Sequence, residues 1–107
     1  ELIKKASEEF EEKIKDFKFN QFMYSMYSNV TAEKCNHEEI KSLLSKQIIN
    51  KVRWRETILN MIRDGVDTFI EIGPGKVLTN LIKRSTDNVV SVSISNMKDL
   101  EKLEKIQ

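Results

Sequence analysis

The stretch Thr68-Phe69-Ile70-Glu71-Ile72-Gly73-Pro74-Gly75-Lys76-Val77-Leu78 decides how the chain is read. An apolar run, Thr68 to Ile72, meets a Gly-Pro-Gly turn and then apolar positions at helical spacing, Val77, Leu78, Leu81 and Ile82. This is the pattern of a strand, a tight turn and a helix. Glycines let the chain turn sharply, Pro74 stiffens the turn, and the first amides of the following helix face outward. A P-loop would need glycine at 70 and Ser or Thr at 77, where Ile70 and Val77 stand. The dinucleotide-binding pattern is met by Gly73 and Gly75 but broken at Leu78, where its third glycine belongs. Gly73, Pro74 and Gly75 are therefore read as a structural turn. The alternative is that their backbone amides lie beside a ligand, as in a small nucleotide-binding protein.

Working outward, Gly65 closes an amphipathic run carrying Trp54, Ile58, Met61 and Ile62, which predicts a helix with a glycine C-cap. On the other side, Lys83 and Arg84 fall in the last turn of the helix after the glycines, where cations complement the helix dipole. Val90, Val92 and Ile94 then alternate with Ser91 and Ser93, an edge-type strand with one polar side. Asn96 with Asp99 caps a last helix bearing Leu100, Leu103 and Ile106.

Towards the N-terminus, Asn36 and Glu39 form a capping-box pair that predicts a helix starting near His37, with Ile40, Leu43, Leu44 and Ile48 on one face. The aromatic-rich run Phe22 to Ser28 predicts a short strand, followed by a loop from Thr31 to Asn36. Leu2, Ile3, Ala6, Phe10, Ile14 and Phe17 put one apolar stripe on a first helix, with Lys4, Lys5, Glu8, Glu9, Glu12 and Lys13 on its solvated face. The order is helix, strand, helix, helix, strand, helix, strand, helix. It predicts the α/β class, with a short, mainly parallel sheet flanked by helices. Phe69 to Ile72, the most apolar strand, reads as central and buried on both faces, so it needs neighbours that three strands do not fully supply.

Composition narrows the chemistry. The 107 residues suit one domain, and 39% apolar with 33% charged content is that of a folding chain. With 18 basic and 17 acidic residues the formal charge is +1, so no global field argues for nucleic acid or membrane as partner. Trp54 among Lys51, Arg53 and Arg55 is too short a basic run to change that. One cysteine, Cys35, allows no internal disulfide, and without a secretory or spanning stretch the expected compartment is the cytoplasm. Cys35 and His37 do not make a catalytic pair at that spacing, and no HExxH or CxxC supplies a metal site. No serine sits in a G-x-S-x-G elbow. Glu1 opens the chain inside a helical stripe without an initiator methionine, as an excised or processed piece does.

Three strings coincide in order: Tyr27-Ser28-Asn29-Val30-Thr31-Ala32, Gln47-Ile48-Ile49-Asn50-Lys51-Val52-Arg53-Trp54, and Glu71 to Leu78 followed by Leu81-Ile82-Lys83-Arg84. Together they resemble the C-terminal third of the bacterial malonyl-CoA:acyl-carrier-protein transacylases, with the acyltransferase domains of polyketide synthases as a more distant likeness. The resemblance spans residues 1–107. It implies part of an α/β-hydrolase-like acyltransferase core in fatty-acid biosynthesis. Such enzymes move malonyl from coenzyme A to the phosphopantetheine thiol of acyl carrier protein through a serine ester. Malonyl-CoA is substrate, and no cofactor is implied.

The resemblance also implies that the serine of a G-H-S-x-G elbow, its histidine and a carboxylate-binding arginine lie upstream of Glu1, so this chain alone is expected to be inactive. What carries over is Gln47, whose main-chain carbonyl would orient the absent histidine. Lys83 and Arg84 are the expected contact for the acidic carrier, and Gly73, Pro74 and Gly75 a structural turn near the catalytic cleft. Lys5 and Lys51 stand where the family commonly has proline. The expected partners are acyl carrier protein, malonyl-CoA and the remainder of the same enzyme. A non-enzymatic carrier-binding module is the alternative.

Overall fold

The computed structural model describes residues 1–106 and divides into two compact units, Glu1–Asn60 and Met61–Gln107. The elements are α1 (Leu2–Ile14), β1 (Met26–Tyr27), β2 (Lys34–Cys35), α2 (Ile40–Gln47), α3 (Trp54–Arg63), β3 (Thr68–Ile72), α4 (Val77–Ser85), β4 (Val90–Ile94) and, after a 3-10 turn at Met97–Leu100, α5 (Glu101–Glu104). The α/β class holds, but the single sheet does not. Two separate two-stranded sheets form, β1 with β2 antiparallel and β3 with β4 parallel.

In the first unit α1 and α2 pack together around Ile14, Ile40 and Leu43. The buried Ser7 hydroxyl donates to the Ser45 carbonyl at 2.7 Å, tying one helix to the other. The expected stripe on α1 is only partly used, because the helix ends at Ile14 and leaves Phe17 beyond it, while Leu2 and Ile3 stay exposed. The capping box before α2 forms in both directions. Asn36 Oδ1 accepts from the Glu38 and Glu39 amides at 3.0 Å, and Glu39 Oε1 accepts from the Asn36 amide at 3.2 Å.

The run from Phe22 to Ser28 contributes only Met26–Tyr27 to a ladder. Its partner Lys34–Cys35 lies in what the sequence marks as loop, in the register Met26↔Cys35 and Tyr27↔Lys34. Local antiparallel closure wins because the two segments are joined by a short loop, whereas a parallel pairing needs a long crossover. That loop is firmly built. Ala32, fully buried and at φ 60°, donates its amide to the Ser28 carbonyl at 2.8 Å, and its own carbonyl accepts from Asn60 Nδ2 at 2.8 Å.

In the second unit, the end of α3 is closed by two amides, Gly65 to the Ile62 carbonyl and Val66 to the Met61 carbonyl, both at 3.0 Å, a Schellman arrangement. Strand β3 runs beside β4 from Thr68↔Val90 to Ile72↔Ile94. Alternation puts Phe69 and Glu71 with Ser91 and Ser93 on the face that α4 covers, where Ser93, Thr79 and Ile82 are buried. The opposite face carries Ile70, Ile72 and Val90, which are 45%, 82% and 46% exposed, together with half-buried Val92 and buried Ile94. One expectation changes accordingly. Within the described residues β3 has β4 as its one neighbour and is not central, while β4 is the expected edge strand, with Ser93 and Ile94 both buried on opposite faces. On β3 alternation alone separates the faces, with Phe69 and Glu71 half-buried towards α4 and Thr68, Ile70 and Ile72 exposed.

Candidate functional site

The glycine turn joins β3 to α4. Gly73 (φ 139°) and Gly75 (φ 86°) both adopt backbone conformations that side chains resist, and Pro74 between them is trans. The Gly73 amide donates to the Ile94 carbonyl at 3.0 Å, extending the β3–β4 ladder by one bond into the turn. Lys76, at the N-cap of α4, offers no side-chain cap. The cap comes from Glu71, back on β3. Its carboxylate accepts from the Leu78 amide at 3.2 Å, the Thr79 amide at 2.9 Å and the Thr79 hydroxyl at 2.8 Å.

These bonds hold the Glu71 carboxyl below the usual glutamate range, chiefly through the Thr79 amide, against an opposing desolvation. The amides that the sequence left open to a ligand are thus occupied by the chain's own carboxylate, which would also repel a phosphate. No sequence rule pointed to Glu71, since capping motifs are local and this cap reaches across the Gly-Pro-Gly turn.

Gln47 is the last residue of α2 and is exposed. The carbonyls just before it are each used twice. Ser45 accepts from the Ser7 hydroxyl and the Ile48 amide, and Lys46 accepts from the Ile49 amide and from Asn50 Nδ2 at 2.7 Å. Among the described residues the Gln47 carbonyl has no hydrogen-bond donor. It is an acceptor held on an anchored turn.

Lys83 and Arg84 occupy the last turn of α4, both exposed. Arg84 Nε reaches the Asn80 carbonyl at 3.4 Å, while Lys83 lines a pocket with Lys76 and Lys102. Cys35 and His37 border a separate recess of about 400 Å³ with Gln21 to Ser25, Asn36 and Glu38. Burial, aided by Glu39, pushes the Cys35 thiol up, which disfavours the thiolate a nucleophile needs. No group of three or more His, Cys, Asp or Glu that could hold a metal ion occurs among the described residues. None of their helices is long and apolar enough to cross a membrane.

Compared with known proteins, the chain is similar over nearly its whole length to acyltransferases. It is 35% identical over 102 residues to the malonyl CoA-acyl carrier protein transacylase of Bacillus subtilis, a match covering 94% of this chain and 32% of that protein. The solved malonyl CoA-acyl carrier protein transacylase from Clostridium perfringens superposes with a TM-score of 0.89 at 36% identity, over 96% of this chain and 33% of that one. A malonyl-transacylase solved with its type II PKS acyl-carrier protein gives 0.91 at 28% identity, over 99% and 35%. No family model matches. The resemblance to the malonyl-CoA:acyl-carrier-protein transacylases is borne out in sequence and fold, and the chain spans about a third of the length of these relatives.

Proposed function

We propose that residues 1–107 are the C-terminal portion of a malonyl-CoA:acyl-carrier-protein S-malonyltransferase of fatty-acid biosynthesis, with an α/β-hydrolase-like core completed by the remainder of the same enzyme. The observation that carries this is the match of almost the whole chain to one third of such transacylases, in a sequence without an elbow serine. The open faces of Ile70 and Ile72 support it, since they are the surfaces a larger core would cover.

In the intact enzyme the upstream serine takes malonyl from the thioester of coenzyme A as an ester, and the carrier's phosphopantetheine thiol then displaces the serine. The part assigned to this chain is Gln47. Its unpartnered carbonyl accepts one ring N–H of the histidine, which fixes the tautomer so that the other ring nitrogen takes the serine proton. Lys83 and Arg84 face the acidic carrier by charge complementarity. The turn Gly73-Pro74-Gly75 borders the cleft as structure. The compartment is the cytoplasm, and nothing is invoked beyond the thioester donor, malonyl-CoA, and the thiol acceptor on the carrier.

Incubation of the 107-residue chain with malonyl-CoA, followed by intact mass measurement, is expected to leave the mass unchanged. A malonyl ester on any serine would show that the chain carries its own nucleophile and defeat the proposal. Calorimetry with acyl carrier protein is expected to give weak, salt-sensitive binding that Lys83→Glu and Arg84→Glu abolish. The neighbour solved with a type II PKS carrier favours a second reading, an acyltransferase portion serving polyketide synthesis. Preference for a polyketide carrier over a fatty-acid carrier in the same titration would select it.

A further inference from the structure

The second unit holds a small basic pocket of which the transacylase reading uses only Lys83, as a carrier contact. Its walls come from three elements and a cap residue: Lys76 before α4, Thr79 and Lys83 on α4, Ser91 to Ser93 on β4, and Lys102 on α5. Lys76 immediately precedes α4 and Lys83 lies in its last turn, and both line the same pocket. The volume is about 200 Å³, roughly the share of seven waters in the liquid.

Three lysines line this space, and no acidic residue is among the lining residues. Two acids bonded to lining residues, Asp99 to Lys102 and Glu71 to Thr79, have further partners. Asp99 accepts from the Ser95 amide at 2.9 Å and pairs with Lys102 at 3.1 Å, while Glu71 caps α4. Lys102 also donates to the Ser93 carbonyl at 3.2 Å, so its position is fixed from two sides. Among the described residues neither Lys76 nor Lys83 has an ion-pair partner. Lys102 has its counter-ion in Asp99, but Lys76 and Lys83 bring two further positive charges to the same recess without one, which favours an anion there.

We propose that the pocket bounded by Lys76, Lys83 and Lys102 binds a phosphate-type oxyanion, with the Ser91 hydroxyl as a further donor. The helix N-terminus is no part of this site, because Glu71 holds the Leu78 and Thr79 amides. Recognition rests chiefly on side-chain charge, so it favours a dianion over chloride and weakens as salt screens it.

The test is an amide-resolved NMR titration of the 107-residue chain with inorganic phosphate at fixed ionic strength. Saturable shifts confined to Lys76, Thr79, Ser91 and Lys102 are expected, with chloride at the same ionic strength giving none. Lys76→Gln and Lys83→Gln are each expected to weaken binding by about fivefold, while Lys98→Gln, an exposed lysine outside the pocket, changes it less than about twofold. Unchanged amide positions elsewhere show that the variants stay folded. A parallel titration with glycerol phosphate separates the sources: equal or tighter binding of the ester assigns the site to a phosphorylated molecule, and weaker binding assigns it to the free ion. Shifts that do not saturate, that appear at lysines across the surface, or that survive in both pocket variants overturn the proposal.

Discussion

Helix α4 begins with its donors taken, and helix α2 ends with an acceptor open. At the start of α4, a carboxylate from the preceding strand satisfies the Leu78 and Thr79 amides, so the end is closed chemically as well as sterically. At the end of α2, side chains of Ser7 and Asn50 fill the carbonyls of Ser45 and Lys46 and stop short of Gln47. Helix ends carry unsatisfied groups by construction, and what a protein does with them separates fixtures from places where something else must arrive. The glycine turn looks like a ligand loop and is a fixture. The end of α2 looks ordinary and is the open end.

If α4 is a fixture, its strongest anchor is the side chain beneath it. Ile82→Ala is expected to cost about 2–5 kcal/mol, read by denaturant unfolding, because Ile82 is 4% exposed against the sheet. A loss below about 1 kcal/mol would mean that α4 is not docked as described. Gly75→Ala comes next at about 1–2 kcal/mol. Nothing lies within 4 Å of the added Cβ, so the cost is that of holding alanine at φ 86° alone. An unchanged stability would show that the turn does not need its glycines.

The smaller effect is the cap itself, and it is read through pH. The folded Glu71 carboxyl lies below its unfolded value, held there by the Thr79 amide first and then the Thr79 hydroxyl and the Leu78 amide. Its contribution is therefore complete above the unfolded glutamate pKa and is lost as pH falls through the lower, folded one. Asp99, lowered chiefly by the Ser95 amide and by Lys102, titrates in the same direction. Melting temperatures of the parent chain are expected to fall on acidification, and Glu71→Gln to remove part of that slope while Asp99 keeps the rest. An identical acid slope in the variant would mean that Glu71 is not bonded to α4.

Why the open and closed ends could not be told apart beforehand is a matter of range. The capping box at Asn36 and Glu39, the glycine stop at Gly65 and the bounds of β3 and β4 were legible because each depends on residues a few positions apart. The pairing of Met26–Tyr27 with Lys34–Cys35 was hidden by the absence of any period in Thr31 to Asn36, and Ala32 at positive φ carries no sequence sign. The burial of β3 was misjudged because its apolar run gives no sign that only one face is covered and that β4 is its one neighbour among the described residues. Glu71 and Ser7 act over distances that no local pattern encodes.

The smallest effect bears most directly on function. Gln47 is exposed and terminal in α2, and the proposed role belongs to its main-chain oxygen, so replacing the side chain should leave that oxygen where it is. Gln47→Ala is expected to keep stability within about 0.5 kcal/mol and to leave the amide shifts of Ile48, Ile49 and Asn50 nearly unmoved. Ser7→Ala and Asn50→Ala remove the bonds that anchor the turn, and are expected to move those same amides although neither touches Gln47. If instead Gln47→Ala disturbs the turn more than the two anchor variants do, the side chain is the structural element. The carbonyl would then be open by accident of position, and the contrast between the two helix ends would lose its meaning.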